Sequence, residues 1–263
     1  MTASALTTGS TKLAGMFRRR FPVGDGAYRV ELVPHSELGE SPLWPGAAIL
    51  SSALLYVTLP GRFILGRQAS FFGDIRWIVA GLTGVLLAAL LLSVPHGPVA
   101  RAFGWGVHRT RVSRRVLSLA ITAILTAANS ASIYLLVHVL VNGGAVVASP
   151  LLRAAVHLWC VNVLIFALWF WQLDGGGPMK RLTTEIRERD FYFPQQTDPA
   201  LFGTAWQPTF IDYLYVSYTN SSAFSPTDTM PLSRWAKVLM LVQSAVSLTL
   251  GLMVVARAVN ILR

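Results

Sequence analysis

The chain has 263 residues, of which 53% are hydrophobic and only 13% charged, with a mean hydropathy of +0.52; this balance excludes an ordinary water-soluble domain and points to a polytopic membrane protein. The formal net charge of +10 does not point to nucleic acid, because the basic residues cluster beside apolar spans, where the positive-inside effect accounts for them. The single cysteine, Cys160, lies in an apolar run, so it offers neither a disulfide framework nor a cysteine metal site and reads as a small buried side chain.

Residues 1–43 are expected to form a polar cytoplasmic arm. Its basic run Arg18, Arg19, Arg20 is followed by Phe21, Pro22 and Gly24 rather than by an apolar core, so no cleavable signal peptide is expected and the first span doubles as the insertion signal. The mixed stretch YRVELVPHSELGES within it suits an interfacial turn or a short strand. Spans are expected at about 44–65, 75–94, 116–141, 151–173 and 235–262. In the second, Ala80, Gly84 and Ala88 recur every fourth position, which would let a neighbouring helix approach closely. In the third, Ser118, Thr122, Thr126 and Asn129 form a polar stripe, read first as bonding to helix carbonyls and neighbouring helices and second as pore lining. The fourth carries His157, read as a neutral histidine bonded to a neighbouring helix, and ends on Trp169, Trp171 and Gln172, an interfacial belt.

Residues 174–206 form a polar loop. It opens on Asp174-Gly175-Gly176-Gly177-Pro178, a sharp helix break, and a short surface helix is expected over 179–190. Residues 207–231 carry two aspartates, prolines and many hydroxyls, too polar and too short to cross comfortably. Such a segment is tolerated at membrane depth only where protein or water covers it. With the amino terminus inside, the Arg101–Arg115 loop and Lys180-Arg181 are inside and the uncharged 142–150 turn is outside. Segment 207–231 then either re-enters from the cytoplasmic side, leaving the carboxyl terminus outside, or crosses as a short sixth span that returns Arg257 and Arg263 to the cytoplasm. The fold class is therefore an all-α membrane bundle of five transmembrane helices plus a re-entrant or short sixth element.

Through Asp212-Tyr213-Leu214-Tyr215-Val216-Ser217-Tyr218-Thr219, then Phe224, Asp228, Ser233 and the closing helix to Asn260, the chain resembles a family of bacterial integral membrane proteins catalogued only as a domain of unknown function. Trp169 to Pro178 and Phe191 to Pro194 match its layout more loosely, and the likeness covers roughly residues 100–263. It implies a multi-pass protein of the bacterial inner membrane. The same stretch is similar to the pore helix and inner helix of tetrameric potassium channels, with Tyr215, Ser217, Thr219, Ser221, Ser222, Asp228 and Pro231 at the matching places. A potassium filter uses glycines, whereas Ser222-Ala223-Phe224-Ser225-Pro226-Thr227 contains none, so potassium selectivity is not implied.

Three functional classes compete. The first is ion or small-solute permeation, with Asp212, Tyr215, Ser217, Thr219, Ser221, Ser222 and Asp228 of the loop and the Gln243, Ser247, Gly251 face of the last helix as candidate lining. The second is a non-catalytic scaffold or accessory subunit whose partners are the lipid bilayer and either a second copy or another membrane protein. An enzyme ranks last, and no cofactor or metal is expected: the five histidines show no ligand pairing and no Gly-x-Ser-x-Gly elbow exists. Asp212 and Asp228 have structural explanations as a helix cap and a turn residue, and Ser233 is placed to cap the last helix.

Overall fold

The computed structural model describes residues 16–23, 27–34, 43–59, 75–92, 111–141, 148–181, 188–198, 206–223 and 228–261. Six helices carry the architecture: α1 (Leu43–Val57), α2 (Ile75–Leu92), α3 (Arg111–Val141), α4 (Ala148–Leu173), α5 (Phe210–Ser222) and α6 (Arg234–Ile261). Their starts follow local chemistry. Pro45 sits in the first turn of α1, where its missing N–H removes no helical bond. The Thr209 N–H donates to Asp212 Oδ2 at 2.7 Å at the head of α5, and the Ala236 N–H donates to Ser233 Oγ at 3.1 Å at the head of α6, so both helices have a side-chain oxygen meeting an end N–H.

The Asp174-Gly-Gly-Gly break is a short 3-10 turn in which Gly175, Gly176 and Gly177 take φ values of 58°, 80° and 102°. At Gly177 a Cβ would lie 3.1 Å from the Gln172 carbonyl oxygen, and its φ of 102° belongs to a region L side chains rarely adopt. Gly177→Ala is therefore expected to cost about 1–3 kcal/mol, read as a lower unfolding midpoint in mixed detergent micelles. Gly81→Ala, in open space on α2, is expected to be neutral or slightly stabilising in the same assay.

Helix direction follows from which residues pack together. At the end where α4 breaks, hereafter the loop end, Ala48 and Ile49 of α1, Ile121 and Leu125 of α3, Ile165 and Leu168 of α4 and Phe210 share one core with Leu87 of α2. At the far end Leu59 meets Leu136 of α3, Ala154 and Leu158 of α4, and Leu250 of α6. Thus α1, α3 and α6 run away from the loop end and α4 runs towards it. On α2 the residues that reach the loop-end core, Leu86, Leu87 and Leu90, lie in its second half, so α2 also runs towards that end. Buried along much of its length, α4 is the axis against which the others pack.

The direction of α5 follows from its contacts with α4 and α6. Phe210 and Tyr213 sit at the loop end, while Ser217 bonds the Val163 carbonyl and Tyr218 meets Trp159, ring centroids 5.8 Å apart, halfway along α4. Against α6 the order is parallel: Tyr213 and Val216 share a core with Ala236 and Met240, and Asn220 bonds the Met240 carbonyl. The chain is back at the loop end by β4 (Met230–Pro231), which pairs antiparallel with β3 (Phe191–Tyr192). α5 goes in and the chain comes back out at the same end.

The structure departs from the sequence reading in several places. The chain is not purely helical: β1 (Met16–Val23) and β2 (Ala27–Pro34) pair antiparallel, Arg19 opposite Glu31, so the mixed YRVELV stretch is a strand of a hairpin, and β3–β4 adds a second small ladder. The helix expected over 179–190 is a single turn, Pro178–Arg181, with residues 182–187 outside the described residues, as is the 60–65 extension of the first span. In the small-residue stripe of α2, Gly84 and Ala88 are exposed and Ala80 is half-buried, so among the described residues no neighbouring helix covers the stripe. His157 bonds its own helix through the Arg153 carbonyl at 2.7 Å rather than a neighbour, and Cys160 is half-buried. Three helical stretches, Arg115–His138, Leu152–Gly176 and Arg234–Val255, are long and apolar enough to cross a membrane.

Candidate functional site

Two buried polar clusters meet α5. At the loop end, Asp174 is fully buried. Its Oδ1 accepts the Asp190 and Phe191 N–H groups at 2.8 and 3.2 Å, and its Oδ2 accepts the Tyr213 hydroxyl. The Arg181 guanidinium stands 4.0 Å from Oδ2, lies over the Tyr213 ring 4.9 Å from its centroid and donates to the Trp171 carbonyl at 2.9 Å. A buried carboxylate is tolerable when paired and hydrogen-bonded, and here it accepts from two segments, the β3 approach and the first turn of α5, and pairs with Arg181 of the turn that follows the α4 break. Burial raises the Tyr213 phenol well above its usual range against the lowering pull of the Arg181 guanidinium, so the hydroxyl stays a donor. The Arg115 side chain donates to the Gly176 carbonyl, which ties the start of α3 to the same break.

Deeper in the bundle, Gln243 of α6 is fully buried. Its Nε2 reaches the Ser217 carbonyl at 2.9 Å, Ser217 Oγ at 2.6 Å and Ser221 Oγ at 2.7 Å. Its Oε1 accepts from Asn220 Nδ2 at 2.9 Å, which also donates to the Met240 carbonyl. Ser217 donates to the Val163 carbonyl at 2.6 Å, and the adjacent Asn162 of α4 donates to Ser247, one α6 turn beyond Gln243, at 3.2 Å. One network thus joins α4, α5 and α6, its amides and hydroxyls bonding across the helix contacts in the buried interior.

The residues singled out from sequence separate into groups. Ser217, Ser221, Gln243 and Ser247 come together, and they face one another across helix contacts. Thr219 is buried but donates back to the Tyr215 and Val216 carbonyls of its own helix. Tyr215 and Ser222 are exposed, the latter donating to the Tyr218 carbonyl at 2.8 Å. Asp212 is the cap partner of Thr209, and Asp228 is exposed in the turn before β4. Gly251 faces away from the Gln243 and Ser247 side. The stripe on α3 bonds both ways foreseen for helix packing: Thr122 and Thr126 donate to carbonyls one turn back, and they accept from Gln172 Nε2 at 2.7 Å and Trp169 Nε1 at 2.9 Å of α4.

Sequence reasoning missed Asp174, Arg181, Tyr213, Asn162 and Asn220. A signal existed for the first: an acid placed directly after a tryptophan-rich apolar helix and before three glycines has no helix to cap and must find donors elsewhere. Among the described residues no three His, Cys, Asp or Glu side chains gather as a metal site would need. No family model, no curated protein and no solved structure matches the chain.

Proposed function

We propose that this chain is a multi-pass protein of the bacterial inner membrane, with α1, α2, α3, α4 and α6 as its five spans and α5 with its return as a re-entrant element, serving as a non-catalytic membrane subunit. The loop end carries Arg111, Arg114, Arg115, Lys180, Arg181, Arg189, Arg234 and Lys237, which supports a cytoplasmic side for it by the positive-inside rule. At 15 and 18 residues, α1 and α2 are short for a hydrocarbon core of about 30 Å, a mismatch that local bilayer thinning accommodates.

The observation that carries the subunit reading is the Gln243 network. A permeation path presents its polar groups to water or ions; here the amides and hydroxyls bond each other across three helices. What faces outward is apolar: Val85 on α2, and Val238, Leu241, Leu248, Leu252 and Val255 on α6. Such faces suit lipid and a flat helix contact, with a second copy or another membrane protein as partner.

One observation favours a second reading, ion or small-solute permeation at an oligomer axis: a helix that enters, a chain that returns and a long helix that starts from the same end follow the order of a pore loop and inner helix. Reconstitution into liposomes separates the two. The subunit reading expects no flux of potassium, sodium or chloride above that of empty vesicles, together with a native mass in mild detergent larger than one chain and its micelle. Flux that Asp228→Asn abolishes would install permeation instead.

A further inference from the structure

We propose that the cavity beside Asp190 binds an alkylated ammonium group, either a small organic cation or the head of an ammonium-bearing lipid. The cavity has a volume of about 370 Å³, in the range of small-ligand sites, and opens at the loop end between the last turn of α4, β3 and the first turns of α6. Three aromatic rings line it: Phe170 and Phe191, centroids 5.1 Å apart and tilted by 57°, and Trp235, which is 76% exposed at the rim. Leu173 and Leu239 complete the apolar wall, and Asp190 supplies the one charged group among the lining residues.

The Asp190 carboxylate is held in place. Its own N–H donates to Asp174 Oδ1 at 2.8 Å, its carbonyl accepts the Leu232 N–H at 2.7 Å and its Oδ2 accepts the Gly175 N–H at 3.2 Å. The neighbouring guanidiniums have other engagements: Arg181 with Asp174, the Trp171 carbonyl and the Tyr213 ring, Arg189 with Gln207 and the Arg181 carbonyl.

This composition selects among cations. A hard metal ion needs several oxygen ligands, and one carboxylate among hydrocarbon walls does not provide them. An alkylammonium is weakly hydrated, fills an apolar cavity with its methyl or ethyl groups, is attracted to aromatic faces, and gains from a carboxylate close by.

The test is isothermal titration calorimetry on the full chain in phosphatidylglycerol nanodiscs, titrated with tetramethylammonium chloride and, as reference, potassium chloride. Saturable binding of tetramethylammonium alone is expected, weakened about tenfold by Trp235→Leu and by Asp190→Asn. Trp235 is exposed, so its replacement leaves the fold intact even if the Asp190 variant were destabilised. Heats no larger than those of potassium, or an affinity unchanged in Trp235→Leu, would overturn the assignment. Repeating the titration in phosphatidylcholine nanodiscs identifies the source: a weaker apparent affinity means that lipid headgroups occupy the site, and an unchanged one means that it takes free solute.

Discussion

Asp174→Ala is expected to lower the stability of the folded protein by about 3–5 kcal/mol, the largest effect of any single substitution in the loop region. The change removes the acceptor for the Asp190 and Phe191 N–H groups and for the Tyr213 hydroxyl, and it leaves the Arg181 guanidinium, 2% exposed as a residue, without its carboxylate. Stranding a buried charge is what makes the loss large. Asp174→Asn keeps an oxygen for the two N–H groups and is expected to cost about 1–3 kcal/mol. Unfolding by dodecylsulfate in mixed micelles reads both, and an alanine variant within about 0.5 kcal/mol of the native chain would mean that Asp174 does not hold the α4 break, β3 and α5 together.

Gln243→Leu carries the second large effect, a loss of about 2 kcal/mol, because leucine fills the volume but leaves Asn220 and Ser221 facing hydrocarbon. The comparison that gives this meaning is Thr219→Val, which removes a hydroxyl bonded only within its own helix and is expected to cost under about 1 kcal/mol. Equal losses for the two variants would show that polarity as such, rather than the contact between α5 and α6, sets the stability.

The helices were legible because apolar runs of this length have few alternatives: the observed α2, α4 and α6 lie within a few residues of the ranges read from hydropathy. The Ser118, Thr122, Thr126 stripe was legible too, since hydroxyls spaced by one helical turn can reach both their own carbonyls and a neighbour. Segment 207–231 was only half legible. Its polarity excluded an easy crossing, but the direction of α5 is fixed by Tyr213, whose partner Asp174 is 39 residues away, and by β4 pairing with β3, contacts that no local pattern encodes. The same distance hid the Gln243 network: serines and a glutamine on two helices look alike in sequence whether they line water or each other. Of the strand pair β1–β2, the second strand was foreseen as one of two options for the YRVELV stretch, whereas Met16–Val23 was not, because Arg18, Arg19 and Arg20 run together without alternation.

The central claim is that α5 enters and returns at one end of the bundle, so that the 188–198 segment and β4 lie on one side of the membrane and the carboxyl terminus on the other. Single cysteines at Asp198, Met230 and a position appended after Arg263, in a Cys160→Ala background, tested in intact cells with a membrane-impermeant thiol reagent before and after permeabilisation, measure this directly. The account predicts that the cysteines at 198 and 230 label only after permeabilisation and that the carboxyl-terminal one labels in intact cells. Labelling of positions 198 and 230 from opposite sides would contradict it and make segment 207–231 a sixth crossing.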